Sequence, residues 1–170
     1  MQTFWDFAED NAHLDAAAFE AAHPTPYLVV RFPRPESRGE DSSFLTRALD
    51  VAAIKSGESQ NTVWIVPVTK REGSNAFATM ITLGRAGNND VVLQHPSVSK
   101  FHAYLRHMGT NWTVSDAGSR NGTLLDDRKL PPERSFPLYS GAAIVLSEAV
   151  SLTFLLGADL YTAVQSKQAP

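Results

Sequence analysis

The chain has 170 residues, 43% of them hydrophobic, and a formal net charge of -3, enough to bury one substantial core with material left for an appendage. It contains no cysteine, which excludes disulfides, thiolate nucleophiles and Cys-ligated zinc and fits a reducing compartment, so a cytoplasmic location is expected. Residues 1–60 hold five Lys/Arg against ten Asp/Glu, and residues 61–170 hold ten against eight; an acidic arm precedes a mildly basic domain. That balance argues against nucleic-acid binding, which needs a clustered basic face. The N-terminus has no basic region ahead of an apolar run, and no apolar run approaches the ~18 residues of a membrane span, so no membrane association is expected.

In chain order, residues 4–22 place Phe4, Phe7, Ala8, Leu14, Ala18 and Phe19 at helical intervals. His23-Pro24-Thr25-Pro26 stops the helix. Residues 27–32, Tyr-Leu-Val-Val-Arg-Phe, read as a strand. A polar loop is expected over residues 33–42 and a second helix over residues 43–56, with Ser42 or Ser43 as N-cap and Gly57 at its C-terminal end. From Thr62 the period shortens to two. Residues 63–68 and 77–83 read as strands of a hairpin turned at Glu72-Gly73-Ser74-Asn75. Further short apolar runs follow at residues 91–93, 103–107, 112–115, 123–125, 143–146 and 151–155, punctuated by Gly109, Gly118, Gly122 and Gly141. Strands at such spacing argue for a sandwich or barrel. Residues 165–170 read as a frayed tail.

Between these strands lie four polar clusters: Gly84-Arg85, Asn89-Asp90, Ser97-Val98-Ser99-Lys100-Phe101-His102-Ala103, and Ser119-Arg120-Asn121-Gly122-Thr123. Turns carried by a rigid sheet are where binding groups usually sit. In order and spacing the clusters resemble the forkhead-associated (FHA) domain, a β-sandwich that binds phosphothreonine peptides. The fold this implies is mainly β, an FHA-like antiparallel β-sandwich with an N-terminal α/β extension. The expected divisions are an acidic extension over residues 1–60, a sandwich over 61–158 and a tail over 159–170.

A phosphate monoester carries nearly two negative charges and three acceptor oxygens, so its receptor must converge donors, preferably cationic. The resemblance assigns phosphate contacts to Arg85, Ser99 and Lys100, with Arg120 at a variable position from which several family members also reach the phosphate. It assigns Asn121 to the backbone of the bound peptide. His102 is implied to brace the loop that carries Ser99. Gly84, Gly122 and Thr123 are read as shaping turns, and Asn89 and Asp90 as pinning the loop after Arg85 through side-chain to backbone bonds.

Other chemistries fit less well. Ser99, His102 and Asp116 could be drawn as a hydrolase triad, but Ser99 lacks a Gly-x-Ser-x-Gly elbow and the Ser-x-x-His spacing seldom aims the imidazole at the hydroxyl. The histidines at 13, 23, 95, 102 and 107 form no ligand pair with a nearby carboxylate, and Gly84-Arg85-Ala86-Gly87 lacks the Lys-Ser/Thr of a nucleotide-binding loop. No catalytic residue, metal or cofactor is expected. The chain departs from the family pattern at Asp126-Asp127, where Asn-Gly is common, and at Gly141-Ala142, where Gly-Asp is common. The resulting expectation is a non-enzymatic phosphothreonine-peptide module coupled to Ser/Thr kinase output, with a further partner or self-contact possible through residues 1–60. An FHA-like assembly module with phosphate-independent contacts is the alternative.

Overall fold

The computed structural model describes residues 1–33 and 62–170. The helix expected over 43–56 and the loop over 34–42 lie outside these residues. Among the described residues twelve strands form two sheets. The larger contains β1 (Gln2–Thr3), β2 (Tyr27–Arg31), β3 (Val63–Pro67), β8 (Thr123–Leu125), β9 (Arg128–Lys129), β11 (Ala143–Leu146) and β12 (Val150–Leu155), in the order β1-β3-β2-β12-β11-β8-β9. The smaller contains β4 (Ile81–Gly84), β5 (Val91–Val92), β6 (Ala103–Met108), β7 (Asn111–Asp116) and β10 (Phe136–Leu138), in the order β10-β7-β6-β4-β5. Pairing is antiparallel except between β4 and β5. The architecture is the expected β-sandwich.

Strand β2 corrects the expected boundary at residue 60. It pairs with β12 on one side and β3 on the other, which puts residues 27–31 in the interior of the larger sheet rather than in an extension. Its composition follows from that position: Leu28 and Val30 point into the core between the sheets, while Val29 points into a second apolar cluster on the outer face. A strand covered on both faces reads as an unbroken apolar run, as Leu28-Val29-Val30 does.

The cover on the outer face is helical. Helix α1 (Phe4–Asn11) is capped by Thr3, whose hydroxyl accepts from the Asp6 N–H. Helix α2 (Ala16–Ala22) is capped by Asp15, which accepts from the Ala18 N–H. The single helical stretch expected over 4–22 is therefore two helices, separated where Asp15 starts a new cap. A third helix, α3 (Gly157–Ser166), occupies most of the expected C-terminal tail. It buries Leu160, Ala163 and Val164 at i, i+3 and i+4 in a cluster with Phe4, Phe7, Phe19, Val63, Ile65 and Leu155. Beyond the helix the chain stays attached, since the Arg31 guanidinium donates to the Ala169 carbonyl at 3.0 Å. The layers are thus small sheet, large sheet, helices.

The expected hairpin of residues 63–83 is a second correction. β3 and β4 belong to different sheets, and the segment between them crosses from one to the other. Asp90 organises that crossing. Its carboxylate accepts from the Arg71 N–H at 2.9 Å, the Ser74 hydroxyl at 2.7 Å and the Thr82 N–H at 2.8 Å, and it pairs with the Lys70 ammonium at 2.9 Å. Turn composition at Glu72-Gly73-Ser74-Asn75 was read as a hairpin, whereas those polar residues serve a long connection caught by a carboxylate from elsewhere.

Candidate functional site

Three loops meet at one end of the sandwich: residues 85–90 between β4 and β5, 93–102 between β5 and β6, and 117–122 between β7 and β8. Backbone bonds zip the first two together. The Arg85 N–H donates to the Ser99 carbonyl at 2.9 Å and the Ala86 N–H to the Lys100 carbonyl at 3.1 Å. Asn89 is buried and its amide donates to the carbonyls of Ala86 at 2.8 Å and Lys100 at 2.6 Å, so it ties both loops with one side chain. Gly84 permits this approach: a Cβ there would lie 2.4 Å from the Lys100 carbonyl oxygen. Asp90, one residue on, leaves this loop alone and anchors the 70–75 segment instead.

The third loop is organised by Asp116. Its buried carboxylate accepts from the N–H groups of Gly118 and Ser119, both at 2.9 Å, and from the hydroxyls of Ser119 and Thr123, both at 2.6 Å. Burial alone would raise its pKa, but these donors outweigh burial and hold it below the ordinary carboxylate value. Gly122, at φ +87°, turns the chain back into β8. Ser147, in the β11–β12 turn at φ +58°, closes the end: its N–H donates to the Gly122 carbonyl at 3.0 Å and its hydroxyl to the Ser97 carbonyl at 2.7 Å.

His102 stands between the second and third loops, fully buried. Its Nδ1 accepts from the Ser99 N–H at 3.1 Å and its Nε2 lies 3.1 Å from the Gly122 carbonyl. Because Nδ1 accepts, the bonds require the neutral ring with the proton on Nε2. Burial lowers its pKa, against smaller opposing effects from the Gly122 carbonyl and the Asp116 charge. This geometry does not assemble the triad. His102 meets the Ser99 main chain and not its hydroxyl, Asp116 spends its oxygens on its own loop, and the Ser99 Oγ accepts from the Arg120 N–H at 3.0 Å.

What remains on the surface is a set of donors. Arg85, Lys100 and Arg120 are exposed and Ser99 is half-buried. The Arg85 guanidinium donates from Nε to the Val98 carbonyl at 3.2 Å, and its terminal nitrogens have no partner among the described residues. The Ser99 hydroxyl, accepting from Arg120, keeps its proton to donate. Among the described residues the ion pair found is Lys70–Asp90, and no carboxylate of these residues pairs with the loop cations. Asn121 is exposed, with its amide nitrogen donating to the Ser97 carbonyl at 2.9 Å. Among the described residues no cluster of His, Asp and Glu could hold a metal ion, and no helix is long and apolar enough to cross a membrane.

Sequence reasoning missed Ser147 and the loop-organising roles of Ser119 and Asp116. The Asp116-Ala117-Gly118-Ser119 run carried a usable signal, since an Asp followed closely by Gly and Ser is the composition of an Asx turn. Ser147 carried none, because its partners lie far away in sequence.

The family model described as FHA domain matches residues 81–147, the segment that contains every one of these loops. The FHA domain-containing protein At4g14490 of Arabidopsis thaliana is 36% identical over 73 residues, covering 42% of this chain and 19% of that protein. FhaB of Mycolicibacterium smegmatis is 36% identical over 70 residues, covering 41% and 44%. Human kanadaptin is 31% identical over 87 residues, covering 45% and 12%. The chain thus spans less than half the length of these curated relatives. Among solved structures, full-length yeast Pml1p superposes with a TM-score of 0.51 at 19% identity, covering 91% of this chain and 93% of that one. The MEK1 FHA domain gives 0.50 at 19% identity, covering 81% and 93%. These two structures share the fold.

Proposed function

From the premise that this is an FHA-domain protein, by the match over residues 81–147, we propose that its loop end binds a threonine-phosphorylated segment of a partner protein. The observation that carries the proposal is that exposed Arg85, Lys100 and Arg120, with no carboxylate partner among the described residues, sit on the same joined loops as Ser99, loops fixed by Asn89, His102 and Asp116. A dianionic phosphate needs several charge-assisted donors held in place before it arrives, because ordering flexible loops on binding would subtract from affinity. Here the order is supplied by buried polar bonds and the charge is left outside.

In this reading the Arg85 guanidinium and Lys100 ammonium take phosphate oxygens, the Ser99 hydroxyl donates to a third position, and Arg120 adds charge from the opposite loop. Asn121 guides the peptide backbone with the face of its amide that Ser97 does not occupy. Threonine selectivity would come from burying its extra methyl. The module performs no chemistry itself and couples the chain to Ser/Thr kinase output in the cytoplasm. The direct test is fluorescence anisotropy with a peptide library of degenerate flanks around a fixed phosphothreonine and the same library unphosphorylated. Saturable binding of the phosphorylated library alone is expected. Equal binding of both would point to the phosphate-independent assembly reading.

A further inference from the structure

One cation near these loops belongs to no family contact assigned above. Strands β8 and β9 are joined by Asp126 and Asp127, whose φ values of 47° and 64° are those of a two-residue turn that favours Asn-Gly. The turn sets the register in which Leu124 pairs with Lys129. The Lys129 side chain then folds back over Gly122: a Cβ on that glycine would lie 2.8 Å from Lys129 Cε and 3.4 Å from its Nζ. The stem therefore rests on the bare backbone next to Asn121, and that backbone is held by His102 and Ser147. The ammonium is exposed, and no carboxylate among the described residues pairs with it. Arg85 and Lys100 come from loops of the smaller sheet, whereas Lys129 comes from the edge of the larger one. Cations from both sheets thus reach this end of the sandwich.

Resting on the phosphothreonine reading, we propose that Lys129 forms a second anion subsite, so that the preferred ligand carries another anionic side chain close to the phosphothreonine. Asp, Glu and a second phosphorylated residue share the required chemistry. An exposed pair of this kind contributes modestly, so the expected preference is about two- to fivefold for a carboxylate and larger for a phosphate.

The experiment is an anisotropy scan of phosphothreonine peptides with Ala, Asp, Lys or phosphothreonine at each of the nearby positions, against wild-type, Lys129→Met and Lys129→Glu proteins whose melting temperatures are checked. The wild type should favour Asp and phosphothreonine at one position, Lys129→Met should lose that preference, and Lys129→Glu should favour Lys there. A flat scan with phosphate-dependent binding intact would overturn the subsite alone, as would an Asp preference that survives in folded Lys129→Met. Failure of every phosphorylated peptide to outbind its unphosphorylated counterpart would instead overturn the phosphothreonine reading, and the subsite with it.

Discussion

The loop end and the helix-covered face of the larger sheet are held together by different physics. At the loop end the buried groups are polar: Asn89 and His102 tie one loop to another by hydrogen bonds, and Asp116 with Thr123 closes the third loop on itself. On the helical face Phe4, Phe7, Phe19, Leu160 and Val164 bury apolar area, and the rings of Phe7 and Phe19 meet edge to face at 6.3 Å. Hydrogen bonds are directional and fix donors in place, which suits a binding site. Apolar burial is larger per side chain and indifferent to exact geometry, which suits a foundation. The difference teaches that stability and recognition should respond to separate sets of mutations.

The strongest way to break that comparison is to remove the foundation. Deleting residues 1–60 takes out β2, leaving β3 and β12 without the strand between them. The expected outcome is loss of cooperative unfolding by circular dichroism, and a folded truncation would contradict the topology. Next in size is Phe19→Ala, which empties a fully buried position between the helices and should cost about 3–5 kcal/mol in denaturant unfolding. Phosphopeptide affinity of the folded protein should stay within about twofold. His102→Ala sharpens the comparison from the other side, because it should lower stability and affinity together by about 1–3 kcal/mol in unfolding, leaving the Ser99 N–H without its acceptor and the Gly122 carbonyl held by the Ser147 N–H alone.

The same histidine predicts a pH dependence. Its pKa is lowered in the folded state from the ordinary 6.5, so the unfolded chain binds the proton more readily. The stabilisation is therefore present above about pH 6.5 and is lost as the pH falls towards the folded pKa. His23 and His95, also lowered by burial, act with the same sign. Urea unfolding across pH 7.5 to 5 should show falling stability with a smaller slope in His102→Ala. The smallest predicted effect is selectivity for phosphothreonine over phosphoserine. One buried methyl is worth about 0.8 kcal/mol, roughly fourfold in affinity for matched peptides by calorimetry.

Much of this was legible in the sequence, and the misses have a common cause. The sandwich strands of residues 91–155 announced themselves through apolar alternation and glycine turns, and the loop residues through their order. β9 and β10 did not, since Arg128–Lys129 is exposed and polar and Pro137 interrupts a strand tolerated because it lies at the sheet edge. β2 was recognised as a strand but assigned to the wrong body. A strand's neighbours are chosen by long-range pairing, which local periodicity does not record. Helix α3 carried Leu160, Ala163 and Val164 at helical spacing, yet its polar end drew the reading towards a tail. At the loop end the types and spacing of Arg85, Ser99 and Asn121 were readable, whereas the tie from Ser147 to Ser97 depended on a fold not yet known.

The measurement that bears most directly on the central claim is calorimetric titration of wild-type and Arg85→Ala proteins with one phosphothreonine peptide selected from the degenerate library, alongside their thermal unfolding. Arg85 is exposed, and among the described residues its side chain makes one bond, to the Val98 carbonyl. Its loss should weaken binding about 10- to 100-fold, from a charge-assisted bond worth roughly 1.5–3 kcal/mol, while the melting temperature moves by no more than about 2 °C. Unchanged affinity in Arg85→Ala would remove the residue from the site and contradict the account of recognition given by these loops.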